Sequence, residues 1–185
     1  MKKTYVTDMT EGKPLGLLVS FMLPLLIGNI FQQLYNMVDS IIVGQYVGAD
    51  ALAAVGATGS LNFLIFSLCG GMANGTGVVI SQHFGAGKND QVKNTIINAA
   101  YIMLFCAVLM GGIGVIFARK ILIFLNTPDN ILDSSTLYMT IICCGILGVS
   151  LYNAVSAILR AVGDSKTPLY FLMVSSVINI VLDLL

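Results

Sequence analysis

The sequence predicts an all-α protein that crosses a membrane several times as a helical bundle. Apolar residues make up 57% of the chain and charged residues only 10%. Those few charges are bunched, leaving charge-free windows from Pro14 to Val38, Ala51 to Gly87, Asn94 to Ala118, Ser134 to Leu159 and Thr167 to Leu182. The alternation of apolar and polar residues that marks a membrane barrel strand is missing, and a helix satisfies its backbone groups within one segment, as hydrocarbon requires. A helix rises about 1.5 Å per residue and the hydrocarbon core is roughly 30 Å thick, so about 20 apolar residues cross it. Four windows are long enough. The fifth runs to Leu185 without a cap, glycine or basic anchor, so the chain reads as a fragment of a longer protein. The expected helices are roughly 15–43, 52–84, 94–118, 136–159 and 168–185.

The first helix carries a polar stripe. At about 100° per residue, Asn29, Gln32, Gln33, Asn36, Asp39 and Ser40 fall within a sector of roughly 120°. Asn and Gln also serve as hydrogen-bonding glue between membrane helices. A stripe that runs to a carboxylate exceeds what packing requires, and an ionisable group at membrane depth is a functional candidate. Pro24 removes one backbone donor upstream and predicts a kink.

After an expected outer loop from Gly44 to Asp50, the second helix is rich in small residues. Gly71 and Gly75 form a small-xxx-small pair suited to close packing within a bundle. The stretch Gly85-Ala86-Gly87-Lys88-Asn89 is not a phosphate-binding loop, because that motif needs Gly at Gln82 and Ser or Thr at Asn89. His83 has no second ligand nearby and reads as interfacial. Beyond the third helix, Ile121 to Leu125 followed by Asn126-Thr127-Pro128-Asp129 suggests a short interfacial turn. The fifth helix has its own polar face, with Ser175, Ser176, Asn179 and Asp183 within about 100°. Asp183 lies about 22 Å along that helix from Pro168, which puts it in the same half of the membrane as Asp39, so the two acids can share one cavity. As a group at a helix end, Asp183 also has an interfacial reading.

Composition narrows the function. A formal net charge of +0 with no basic run leaves no footprint for nucleic acid. Cys69, Cys106, Cys143 and Cys144 form no metal-ligand spacing and read as small apolar side chains. Nucleophile–base pairs and cofactor fingerprints are lacking, so no enzyme chemistry is expected. Met1-Lys2-Lys3 resembles a signal-peptide start, but the apolar run carries on past any cleavage site, so the first helix is expected to stay. Lys2, Lys3, Lys13, Lys88, Lys93, Arg160 and Lys166 fall on one side of the membrane and Arg119 and Lys120 on the other, which places the N-terminus in the cytoplasm.

Five stretches in order closely resemble multidrug and toxic compound extrusion (MATE) transporters: PLLIGNIFQQLYNMVDSIIVG (24–44), ALAAVG (51–56), SQHFGAGK (81–88), ILRAVGDSKTPL (158–169) and NIVLD (179–183). The resemblance implies twelve helices in two pseudosymmetric six-helix lobes, of which this chain supplies five helices of the N-terminal lobe. It implies an inner-membrane antiporter that exports organic, cationic or neutral amphipathic compounds by alternating access, with H⁺ or Na⁺ as coupling ion and no cofactor. Its partners are then small-molecule substrates, membrane lipid and the C-terminal lobe. Asp39 matches the family's first-helix acid, and Asn179 and Asp183 match its fifth-helix pair, as cation-coupling residues. Gln32, Asn36, Ser40, Asn153, Ser156 and Ser175 are the candidate cavity lining. Ser156 stands where some relatives have Asn, four residues before Arg160, with Asn153 one turn earlier. Two other readings are a lipid-linked oligosaccharide flippase of the same superfamily and a fragment inactive alone. A flippase is expected to carry basic residues inside its cavity, and no Lys or Arg lies in the apolar windows.

Overall fold

A computed structural model describes residues 13–183 of the chain, the side chain of Asp183 excepted. Lys2 and Lys3, counted above for orientation, lie outside the described residues. Among those described, every regular element is a helix: α1 (Pro14–Ile42), α2 (Ala49–Gly85), α3 (Asn89–Phe124), α4 (Asp129–Ala161) and α5 (Lys166–Asp183). The first four are long and apolar enough to cross a membrane, and α5 is a shorter apolar helix. α1 stays helical through Pro24, which is buried.

The helices overrun the charge-free windows. Ile121 to Phe124, expected as an interfacial turn, form the end of α3, and only Leu125 to Pro128 remain between α3 and α4. A charge ends an apolar window without ending a helix. Arg119 forms an ion pair with Asp133 of α4, and the Lys120 ammonium sits 5.7 Å from the centre of the Phe117 ring. The expected outer loop at Gly44 is also mostly helical. Val43–Val47 make one widened turn that extends α1. The Gly48 N–H closes it on the Val43 carbonyl at 3.1 Å, and the Gly48 φ of 112° then reverses the chain.

Three of the helix ends share one device. After α2, Gly87 takes φ 69° and donates its N–H to the Phe84 carbonyl, while the Lys88 N–H reaches His83 O at 3.0 Å. Asn126 ends α3 in the same way and Gly163 ends α4, each with positive φ. This is the Schellman arrangement, which satisfies the last carbonyls of a helix. The glycine-rich stretch at Gly85 is therefore a helix cap. At the start of α5, Asp164 Oδ1 accepts the N–H groups of Lys166 and Thr167 at 3.1 and 3.0 Å, and the Thr167 hydroxyl donates to Oδ2 at 2.6 Å.

The interior mixes large apolar side chains, Ile80, Leu122, Met139 and Ile146 among them, with many small residues. Large side chains such as Phe63, Phe105, Ile116 and Phe171 point outward, whereas Thr58, Ala73, Ala107, Gly111, Gly114, Ser135 and Ala157 are buried. Lipid tails give large apolar groups no reason to turn inward, so close approach of small residues holds the helices together. α4 is the hub, packed along α2 and α3. A β-carbon on Gly111 would sit 2.9 Å from the Cys143 carbonyl oxygen, and one on Gly114 would collide with the Cys143 sulfur. Gly77 approaches the Ala157 backbone in the α2–α4 seam. The expected close-packing pair, Gly71 and Gly75, meets nothing within 4 Å. Of the cysteines, Cys69 and Cys143 are buried, while Cys144 is exposed. α1 packs mainly on α5, and this pair meets the rest through a short α4–α5 contact and through the widened turn against α2.

Candidate functional site

The site begins where α1 and α5 touch. Gly28 is buried, and a β-carbon there would lie 3.4 Å from Leu169 and 3.5 Å from Leu172. α1 and α5 run in the same direction from this contact, because three helices alternating in direction, and so four reversals, separate them. Three helical turns onward, about 16 Å, α1 reaches Asp39, rotated only about 20° from Gly28. The same three turns carry α5 from Leu172 to position 183, again with about 20° of rotation. Helix register thus sets the backbone positions of both acids at one height along the α1–α5 seam. The Asp183 side chain lies outside the described residues.

Asp39 is partly buried. The phenol of Tyr138 on α4 is within electrostatic reach of both the Asp39 carboxylate and the Tyr35 phenol, one turn below Asp39 on α1. Asn179, one turn before position 183, is level with Tyr35 by the same register. Its side-chain oxygen is buried without a hydrogen-bond partner. An unpaired buried acceptor costs about 1–3 kcal/mol, so it marks a place where a donor or a cation would be stabilising. Carboxylate, phenolic and amide oxygens are hard donors, the kind of group that takes a proton or a small alkali cation.

The other sequence candidates spread outward from the seam. Gln32 lies about 40° from Gly28 around α1, Asn36 about 80° and Ser40 about 120°. All three are exposed in this chain. Asn36 donates to the Gln33 side chain at 3.4 Å, and the Ser40 hydroxyl donates to the Asn36 carbonyl at 2.9 Å. On α5, Ser175 is exposed, and it is Ser176 that is buried, its hydroxyl turned back onto Leu172 O. Asn153 donates to the Val149 carbonyl at 2.9 Å, and Ser156 is buried. Both share the Tyr138 side of α4 but lie about 22 and 27 Å further along it, so the structure does not gather them with Asp39. Tyr35 and Tyr138 escaped the sequence reading. The signal for Tyr35 was its i−4 spacing from Asp39; Tyr138 had none beyond being a phenol in an apolar window.

Known proteins match this arrangement in sequence and in fold. The MatE family model matches residues 24–185. The probable multidrug resistance protein YoeA of Bacillus subtilis (strain 168) is 36% identical over 162 residues, spanning 88% of this chain and 35% of that protein. YpnP of the same organism, also described as a probable multidrug resistance protein, is 34% identical over 181 residues, spanning 95% of this chain and 39% of that protein. A crystal structure of a MATE protein in complex with MaD3S superposes with a TM-score of 0.90 at 25% identity, covering 98% of this chain and 41% of that one. The chain spans about two fifths of the proteins it matches. Four membrane-length helices, the α1–α5 seam with its acid, and a family match over most of the chain lead to one conclusion: this chain belongs to the MatE family.

Proposed function

We propose that this chain forms the N-terminal half-bundle of a cation-coupled exporter of organic, cationic or neutral amphipathic drugs and toxic compounds. The observation that carries the reading is the α1–α5 seam itself, which holds a partly buried Asp39 and, one turn before position 183, a buried Asn179 oxygen with no hydrogen-bond partner. A carboxylate held at membrane depth costs about 2.5–3.5 kcal/mol on insertion scales, and uptake of H⁺ or Na⁺ relieves that cost. In this proposal Asp39 and Asp183 take the coupling ion and Asn179 supplies a neutral ligand. The exposed Gln32, Asn36 and Ser40 line the substrate path beside the seam. Ion binding favours one arrangement of α1 against α5 and substrate favours the other, and their exchange drives export. A further helical lobe completes the transporter, in keeping with the share of its relatives that the chain spans. The membrane is the inner (plasma) membrane, with the N-terminus and the α2–α3 and α4–α5 turns facing the cytoplasm.

Drug-resistance assays in cells expressing the full-length protein test this reading. Asp39→Asn and Asp183→Asn are each expected to abolish resistance while expression and membrane insertion stay at wild-type levels. Wild-type resistance in both variants would rule the reading out.

A further inference from the structure

Away from the seam, α2, α3 and α4 enclose a side crevice of about 140 Å³. Ala100 and Leu104 of α3 and Leu151 and Val155 of α4 form its walls, with Ala73 and Met103 at its floor. The walls are carbon almost throughout; of the two hydroxyl residues that border it, Thr76 donates to the Met72 carbonyl at 2.9 Å and Ser150 is buried. The crevice begins near Ile96, about 10 Å from the start of α3, and therefore lies at hydrocarbon depth in the leaflet that holds the α2–α3 turn.

One cation marks its mouth. Lys93 points within about 20° of Ala100 around α3 and sits two turns nearer the membrane surface. It is exposed, and the ion pair found among the described residues is Arg119 with Asp133, so Lys93 has no carboxylate partner there. Lys88, in the adjoining turn, adds a second positive charge at the same surface.

We propose that this crevice seats one acyl chain of an anionic phospholipid, whose headgroup phosphate is held by Lys93. Walls this largely apolar favour a tail over a polar ligand, since only Ser150 and Thr76 bring hydroxyls to the lining. The volume compares with that of an engineered apolar cavity of about 150 Å³ that takes up benzene, so it has room for a tail segment. The cation at the mouth disfavours a cationic amphiphile and selects an anionic headgroup. The proposal needs α3 and α4 to span the membrane; it does not depend on the exporter reading.

Native mass spectrometry of the full-length protein tests it, after release from nanodiscs made of palmitoyl-oleoyl phosphatidylglycerol or phosphatidylcholine. One phosphatidylglycerol is expected to stay bound, with phosphatidylcholine retained at least fivefold less. Lys93→Gln should lower phosphatidylglycerol retention about fivefold, the effect of one basic residue near an anionic headgroup. Ala100→Phe, which fills the crevice from an exposed position, should remove the lipid, while Ile116→Phe on the opposite side of α3 should keep it. Equal retention of the two lipids by the wild type, or of phosphatidylglycerol by wild type and Ala100→Phe, overturns the proposal. Wild-type protein that retains no lipid also overturns it, a doubled mass then identifying a second copy as the occupant. If Ala100→Phe does not fold, the headgroup preference of wild type against Lys93→Gln decides alone.

Discussion

An anion at the depth expected of Asp39 is costly, so a nearby polar group bears on its charge state. Tyr138 comes from a different helix and feels the charge of Asp39. Tyr138→Phe should leave the bundle folded and raise the ion concentration for half-maximal dye efflux by about threefold to tenfold, the scale of one ordinary polar interaction. An unchanged ion dependence would remove Tyr138 from the site. Asn179 makes a sharper case. Its orphaned oxygen is a local cost, so Asn179→Leu is expected to raise the thermal midpoint in detergent by a few degrees while reducing efflux. A variant that loses stability and keeps full efflux would show Asn179 to be packing alone.

Among elements, the α3–α4 crossing is the tightest. With the Cys143 backbone against Gly111 and its sulfur against Gly114, an added methyl group has nowhere to go. Gly114→Ala should cost about 1–3 kcal/mol, read as a lowered melting temperature, whereas Gly71→Ala should be neutral or slightly stabilising. Equal effects at the two positions would contradict the packing described. At the start of α5, Asp164→Ala removes a cap that satisfies two backbone donors and should cost about 0.5–2 kcal/mol. The helices themselves were legible because hydropathy and length are local properties. Their ends were less so, since Arg119 and Lys120 close an apolar window while the helix continues past them, and Gly44 sits in a widened turn that a glycine does not announce. The Gly71–Gly75 spacing shows that a face can pack closely, and among the described residues of this chain no other helix lies against it.

In the whole molecule, the α1–α5 pair that carries the candidate site packs only lightly on the α2–α3–α4 body. The match in height of Asp39 and position 183 was legible, because both helices are straight counts from one membrane surface. The approach of Tyr138 was not, since it depends on which side of α4 turns toward α1, a property of tertiary packing. Orientation is open to a direct check. Cysteines placed at Lys88 and Lys166 should be shielded from an impermeant maleimide added outside intact cells, and one placed at Asn126 should react; the reverse pattern would invert the proposed topology. The central claim is that Asp39 and Asp183 act as one coupling site. Dye efflux from vesicles holding the full-length protein, driven separately by a proton and a sodium gradient, tests it most directly with wild type, Asp39→Asn, Asp183→Asn and the double variant. With one coupling site, one gradient drives wild-type efflux, either substitution abolishes it, and the double variant is no worse than either alone. Gradient-driven efflux that persists in the single variants and falls additively in the double would contradict it.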